Sequence, residues 1–132
     1  MINTLLIVLT CLYMTGTLIY FLASKGYKKS YVNLDLFYKL FFVLLSITFG
    51  FAVIYYLLSF HEVTLRVTDH MGEEAESDFW TYLYFSGVTI LAIGYGDLVP
   101  VGSTRFFAVI QASLGLLLPA AFFVKALNDK KD

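Results

Sequence analysis

Three long apolar stretches dominate the hydropathy pattern of the chain. They run from Thr4 to Ala23, from Leu40 to Phe60 and from Phe106 to Val124, and none of them contains a charged residue. About 20 helical residues, at about 1.5 Å each, span the roughly 30 Å hydrocarbon core of a bilayer. The pattern therefore predicts an all-α membrane protein with three transmembrane helices.

A fourth and shorter apolar segment, Asp78 to Leu91, precedes the third stretch. It is rich in aromatic residues and too short to cross a membrane, which predicts a re-entrant helix that enters from the outer face. The next six residues, Ala92 to Asp97, read AIGYGD, and their two alternate glycines favour non-helical backbone. At membrane depth, backbone carbonyls that are not paired within a helix need other hydrogen-bond donors or cations as partners. Permeating cations fit that need, and the negative end of the helix dipole would stabilise them.

Charged residues are distributed unevenly over the connecting segments. Lysines occupy the linker after the first stretch and the tail after the third: Lys25, Lys28, Lys29, Lys39, Lys125, Lys130 and Lys131. Acidic residues outnumber Arg66 in the segment after the second stretch: Glu62, Asp69, Glu73, Glu74, Glu76 and Asp78. Because basic short loops stay in the cytoplasm, we predict an outside N-terminus and a cytoplasmic C-terminus in the plasma (inner) membrane. The acidic segment then lies outside, where it attracts cations or simply keeps the loop solvated.

The composition restricts the possible classes of function. Hydrophobic residues make up 59% of the chain and charged residues only 14%, with a formal net charge of −1. Soluble domains are about a quarter charged, so we expect neither a soluble enzyme nor a nucleic-acid-binding protein. The single cysteine, Cys11, has no partner for an intrachain disulfide, and the sequence shows no metal-ligand spacing or acid–base pair. We therefore predict no enzymatic activity, no organic cofactor and no soluble regulatory domain.

The string Gly94-Tyr95-Gly96-Asp97 stands between the short helix and the third stretch, with Ile93 before it, Thr89 upstream and Pro100 downstream. In this setting the segment from Leu40 to about Leu127 resembles the pore domain of tetrameric potassium channels, whose signature is TVGYG followed by Asp. The resemblance covers about two thirds of the chain. It implies a homotetramer in the lipid bilayer, because one chain cannot surround an ion.

The resemblance divides the chain into two parts. Residues 1–35 would form a peripheral transmembrane helix and a basic cytoplasmic linker, and residues 36–132 the pore domain. Within the pore domain it implies an outer helix over 36–60, an acidic turret over 61–77, a pore helix over 78–91, an extended selectivity-filter strand over 92–97 and an inner helix over 105–127.

The resemblance also implies roles for individual filter residues. The permeant ion, dehydrated K⁺, would be bound by backbone carbonyl oxygens of Ala92, Ile93, Gly94, Tyr95 and Gly96. The Tyr95 side chain would point away from the pore axis, and Asp97 would lie just outside the filter and accept a hydrogen bond from Tyr84. Trp80 would brace the filter beside Tyr84, or would be an ordinary aromatic residue of the lipid interface.

Two positions depart from the family pattern. Ala92 replaces the threonine that opens the filter, so the innermost ion site lacks a side-chain oxygen, and selectivity for K⁺ over Na⁺ either survives or weakens. Val88 replaces a carboxylate that some members carry behind the filter.

Three interpretations stay open: a passive K⁺-selective channel, a weakly selective or non-selective monovalent cation channel, and a non-conducting membrane scaffold or auxiliary subunit.

Three residues interrupt the apolar pattern of the third stretch. Gly115 lies where the family often has a hinge, and Pro119 removes one helical hydrogen bond, so a gating bend is one interpretation. A static kink, or close packing of Gly115 against a neighbouring helix, is the other. Gln111 needs a polar partner, because an unpaired amide in hydrocarbon costs roughly 4–8 kcal/mol. We predict a structural hydrogen bond behind the filter or pore helix, with a role in the cavity as the alternative.

Overall fold

The structure is a computed structural model that describes residues 1–23 and 34–129. Its elements, in chain order, are α1 (Ile2–Ala23), α2 (Leu34–Leu58), β1 (Leu65–Val67), α3 (Phe79–Ile90), β2 (Leu98–Pro100) and α4 (Thr104–Asn128). They belong to two compact units, Met1–Leu34 and Asp35–Asp132.

The three helices of the second unit lie close to their predicted positions. The outer helix, predicted over 36–60, is α2 and both begins and ends two residues earlier. The pore helix, predicted over 78–91, is α3 and is one residue shorter at each end. The inner helix, predicted over 105–127, is α4 and is one residue longer at each end.

Two helices among the described residues are long and apolar enough to cross a membrane, namely α2 and α4, each of 25 residues. The apolar segment of α1, Thr4–Tyr20, is shorter than this requirement, so the third span stays a prediction. The orientation also stays a prediction. The basic linker with Lys25, Lys28 and Lys29, and the tail residues Lys130 and Lys131, lie outside the described residues.

The turret over 61–77 contains a strand, so the chain is mostly helical and the prediction of an all-α fold was incomplete. Strand β1 pairs antiparallel with β2, with Arg66 opposite Val99. Its other edge is bonded to the returning turret, where the Ala75 amide donates to Leu65 O (3.0 Å) and the Val67 amide donates to Glu73 O (2.8 Å). A strand of three residues is too short to show a period in the sequence, and this ribbon is set by pairing with residues beyond the filter.

The core of the second unit lies where α2, β1, α3 and α4 meet. It consists of Tyr55, Leu65, Tyr82, Phe85 and Ala108, all buried. The rings of Tyr55 and Phe85 meet edge to face at 5.2 Å between centroids, a favoured aromatic geometry. The core therefore holds the short helix α3 against both long helices and against the turret ribbon.

Candidate functional site

The segment predicted as a filter begins at a defined helix end. The Ala92 amide donates to Thr89 O (3.0 Å) and the Ile93 amide donates to Val88 O (2.9 Å). With Ala92 at φ +54°, these two bonds form a Schellman motif, which ends a helix with one left-handed residue. Glycine is usual at that position, and Ala92 occupies it with the smallest possible side chain. Val88, which has no side-chain carboxylate, thus contacts the segment through its backbone carbonyl.

Left-handed backbone recurs at every second residue of this segment. Ala92, Gly94 and Gly96 have φ values of +54°, +61° and +80°, whereas Ile93 and Tyr95 do not have positive φ. Alternation of the two hands directs successive N–H groups to one side of a chain. In a chain that alternates right- and left-handed residues the carbonyls lie on the opposite side, because each points away from the N–H of its own peptide plane. Residues 91–97 are all exposed in the single chain.

The C-terminal end of the segment is fixed by Asp97. Its Oδ2 accepts a hydrogen bond from the Tyr84 hydroxyl at 2.9 Å, which is the predicted contact. That bond is the main reason why the pKa of the Tyr84 hydroxyl lies above its usual range. Asp97 Oδ1 accepts from the Leu98 amide at 3.0 Å. The backbone carbonyl of Asp97 accepts from the Thr68 amide in the turret at 2.8 Å, a contact that the sequence did not indicate.

The turret is attached to the start of α4 as well as to the filter segment. The Ser103 hydroxyl donates to the Glu62 carboxylate, and Gly102, at φ +61°, lies directly beside that carboxylate. Within the turret, Arg66 Nη1 donates to Gly72 O at 2.7 Å. All five acidic residues of the turret, and Asp78 directly after it, are exposed. The turret therefore places exposed negative charge beside the C-terminal end of the filter segment.

Two aromatic residues predicted near the filter stay largely uncovered within one chain. Trp80 is 71% exposed and Tyr95 is 67% exposed. The Trp80 ring meets only its neighbour Phe79 among the aromatic contacts of the described residues, at 6.3 Å. A cavity of about 610 Å³ lies along the filter segment, and its walls include Phe85, Val88, Tyr95, Arg105, Ala108 and Val109. One chain thus leaves an open apolar space beside the filter.

Gln111 lies fully buried among three helices. Its Oε1 accepts from the Tyr55 hydroxyl of α2 at 2.7 Å. Its Nε2 donates to the backbone carbonyl of Ser86 in α3 at 3.0 Å and to the Ser86 hydroxyl at 2.6 Å. The amide therefore makes a structural hydrogen bond at the pore helix, as predicted. Sequence reasoning did not identify Tyr55 and Ser86 as the partners, although both are polar positions in apolar surroundings.

Gly115 packs directly against the end of α3. A Cβ atom at this position would lie 1.8 Å from Ile90 O and 2.7 Å from Ile90 C. Close packing, one of the two interpretations of Gly115, is therefore a feature of the structure. Helix α4 continues through Pro119 to Asn128 without interruption.

The comparisons with known proteins point to one family. A family model described as "Ion channel" matches residues 43–128. A protein named LctB from Bacillus caldotenax is 33% identical over 87 residues, which cover 64% of this chain and 65% of the relative. A protein of the same name from Geobacillus stearothermophilus is 37% identical over 82 residues, or 61% of each chain. The chain thus spans less than two thirds of the length of these relatives. No solved structure matches the chain.

Proposed function

The chain belongs to the ion channel family, and we propose that it is a passive potassium channel whose pore is formed by four copies. Membership of this family and the two membrane-capable helices make it a membrane protein of ion transport. The family also argues against an enzyme. The observation that carries potassium selectivity is the run of left-handed φ at Ala92, Gly94 and Gly96, within the sequence AIGYGD and directly after α3.

The proposed mechanism uses backbone oxygens in place of water. Carbonyls of Ala92, Ile93, Gly94, Tyr95 and Gly96 would face a common axis and surround dehydrated K⁺ as it passes. The carbonyl end of α3 carries partial negative charge, which favours a cation at the inner end of the filter. Asp97, held by Tyr84 and by the turret amide of Thr68, would keep the outer end of the filter in place.

A homotetramer would cover what one chain leaves exposed. The exposed Tyr95 ring, the exposed Trp80 ring and the open cavity beside the filter are apolar surfaces next to residues of the proposed pore. Neighbouring copies of the same chain are the partners that the symmetry of a channel supplies. Tyr95 would then brace the filter from behind against aromatic residues such as Tyr84 or Trp80.

We propose the topology that the charge pattern predicts. The N-terminus and the acidic turret would face outside, the C-terminus would face the cytoplasm, and α1 would be a third, peripheral span. The exposed carboxylates of the turret would then raise the cation concentration at the outer mouth, an effect that added salt screens.

One observation favours a second function, a weakly selective monovalent cation channel. Ala92 offers only its carbonyl at the innermost site, whereas a threonine would add a hydroxyl oxygen. With fewer protein oxygens to replace its water there, a partly hydrated Na⁺ ion is excluded less strongly. A non-conducting scaffold is the third interpretation, and it requires neither four-fold assembly nor ion flux. Native mass spectrometry in detergent, together with K⁺ efflux from proteoliposomes, tests this interpretation. We expect tetramers and rapid efflux, whereas folded monomers without efflux would contradict the channel.

Ala92→Thr should increase ion occupancy at the innermost site, because it adds one hydroxyl oxygen per chain. A β-branched residue is more strongly disfavoured at φ +54° than alanine, so the variant should also be less stable than the wild type in the absence of K⁺. Anomalous scattering from Rb⁺ or Tl⁺ in crystals measures the occupancy. Ala92→Gly is the matched control, because it relaxes the backbone and adds no oxygen. Equal innermost occupancy in the Thr and Gly variants would contradict this account.

A further inference from the structure

A network of buried hydrogen bonds joins α2, α3 and α4, the three helices of the second unit. Gln111 of α4 accepts from Tyr55 of α2 and donates twice to Ser86 of α3. The Ser86 hydroxyl then donates to the backbone carbonyl of Thr48 in α2 at 2.7 Å. The Gln111, Ser86 and Tyr55 side chains are all fully buried. Both N–H groups of the amide and its oxygen are paired, so the network is complete.

A second contact lies one helical turn further along the same two helices. Gly115 follows Gln111 by four residues in α4, and Ile90 follows Ser86 by four residues in α3, so each pair shares a helix face. The absence of a side chain at Gly115 brings α4 directly against the Ile90 carbonyl. The polar contact and the close backbone contact therefore fix the relative position of α3 and α4 at two points.

The two contacts lie next to the start of the filter. Ile90 is the last residue of α3, and Ala92 and Ile93 are bonded to Thr89 and Val88 in its final turn. A shift of α3 along α4 would therefore carry the first filter residues with it. An apolar residue of similar volume would fill the Gln111 position in more than one register, whereas the Gln111 amide is fully paired in the arrangement seen here.

We propose that Gln111 is a positioning residue for the ion filter. It acts through Ser86, and together with the Gly115–Ile90 contact it sets the register of the pore helix on the inner helix. This inference rests on the proposed channel function for its electrical readout. It assigns to Gln111 an effect on ion discrimination at a distance from the filter, which a residue that merely stabilises the fold would not have.

The test compares Gln111→Met with the wild-type channel. Methionine keeps the length and volume of the side chain and removes its hydrogen bonds. We expect tetramers in normal yield, a fall of at least fivefold in the K⁺/Na⁺ permeability ratio, and at least tenfold faster hydrogen exchange in the peptide 91–97. Gln111→Glu with a neutral carboxyl group should stay within twofold of wild type, because that group can accept from Tyr55 and donate to Ser86.

Two matched controls separate positioning from general loss of a polar group. Ser113→Ala removes a hydroxyl of α4 whose one hydrogen bond among the described residues goes to Val109 O of its own helix. Tyr56→Phe removes a hydroxyl from the residue that follows Tyr55 in the chain. The ring of Tyr56, which packs against Phe60, Phe79 and Tyr82, is kept. Both should leave the permeability ratio and the exchange of 91–97 unchanged. Ser86→Ala is the milder variant to use if Gln111→Met does not fold, and it should shift both readouts in the same direction.

The two readouts separate failure of the inference from failure of the proposed function. If Gln111→Met and Ser86→Ala lower only thermal stability and leave the exchange of 91–97 at the wild-type rate, the positioning role is wrong. If the wild-type channel shows no K⁺ selectivity, the proposed function is wrong, and hydrogen exchange alone still decides whether Gln111 positions this segment.

Discussion

Gly115→Ala is expected to prevent assembly of a stable channel. The added methyl group would lie 1.8 Å from Ile90 O, 2.7 Å from Ile90 C and 3.0 Å from Ile90 Cα. These are backbone atoms at the end of a helix, so no side-chain rotation relieves the clash and the two helices must separate. Overpacking of this kind costs about 1–3 kcal/mol or more per site. Repeated in every copy of an oligomer, that cost is comparable with the whole stability of a folded protein, about 5–15 kcal/mol.

Gly50→Ala is the control for this change. Gly50 also lies inside a long apolar helix, and a Cβ atom there would have no heavy atom within 4 Å. Alanine at that position should raise stability by about 0.5–1 kcal/mol. The yield of tetramer by size-exclusion chromatography and its thermal midpoint in detergent measure both variants. A Gly115→Ala channel that assembles normally and differs only in open probability would support the hinge interpretation instead.

Gly94→Ala should leave the chain folded and reduce K⁺ conduction at least a hundredfold. Gly94 has φ +61°, and a Cβ atom there meets nothing within 4 Å of the same chain, so the effect is conformational. Left-handed backbone costs an L-residue roughly 1–2 kcal/mol, and four copies would add this strain at one ion path. Relief of the strain turns the peptide plane and removes carbonyl oxygens from the proposed axis.

Gly87→Ala provides the comparison within the same region. Gly87 lies in α3, its φ is not positive and its Cβ position is open. Alanine should therefore keep the flux and stabilise the helix slightly. Flux of K⁺ or Rb⁺ from proteoliposomes, normalised to the amount of tetramer, measures both variants. Wild-type flux through Gly94→Ala would show that the backbone conformation of this segment does not control conduction.

Local signals in the sequence were sufficient for the main helices and for the segment that follows α3. Uncharged length predicted α2 and α4, and the short aromatic run predicted α3 within one residue at each end. Alternate glycines predicted non-helical backbone, and the resemblance implied the bond from Tyr84 to Asp97. These features depend on residues that are neighbours in the chain or belong to one motif.

The remaining features depend on contacts between distant segments. Strand β1 has three residues and exists because it pairs with β2 and with the returning turret. The partners of Gln111 are 25 and 56 residues away, and the hydropathy of Ser86 and Tyr55 does not identify them. The close approach of Gly115 to Ile90 likewise follows from how α3 packs on α4. A single sequence shows that an amide within an apolar helix needs a hydrogen-bond partner and that a glycine there permits a close contact. It does not show which residue is the partner or the contact.

The reversal potential of the purified protein in planar bilayers, with K⁺ on one side and Na⁺ on the other, tests the central claim most directly. A potassium channel gives a value near the K⁺ equilibrium potential, and this is the result we predict. A reversal potential near zero with equal concentrations of the two ions would contradict K⁺ selectivity and leave a non-selective cation pore with Ala92 at its innermost site.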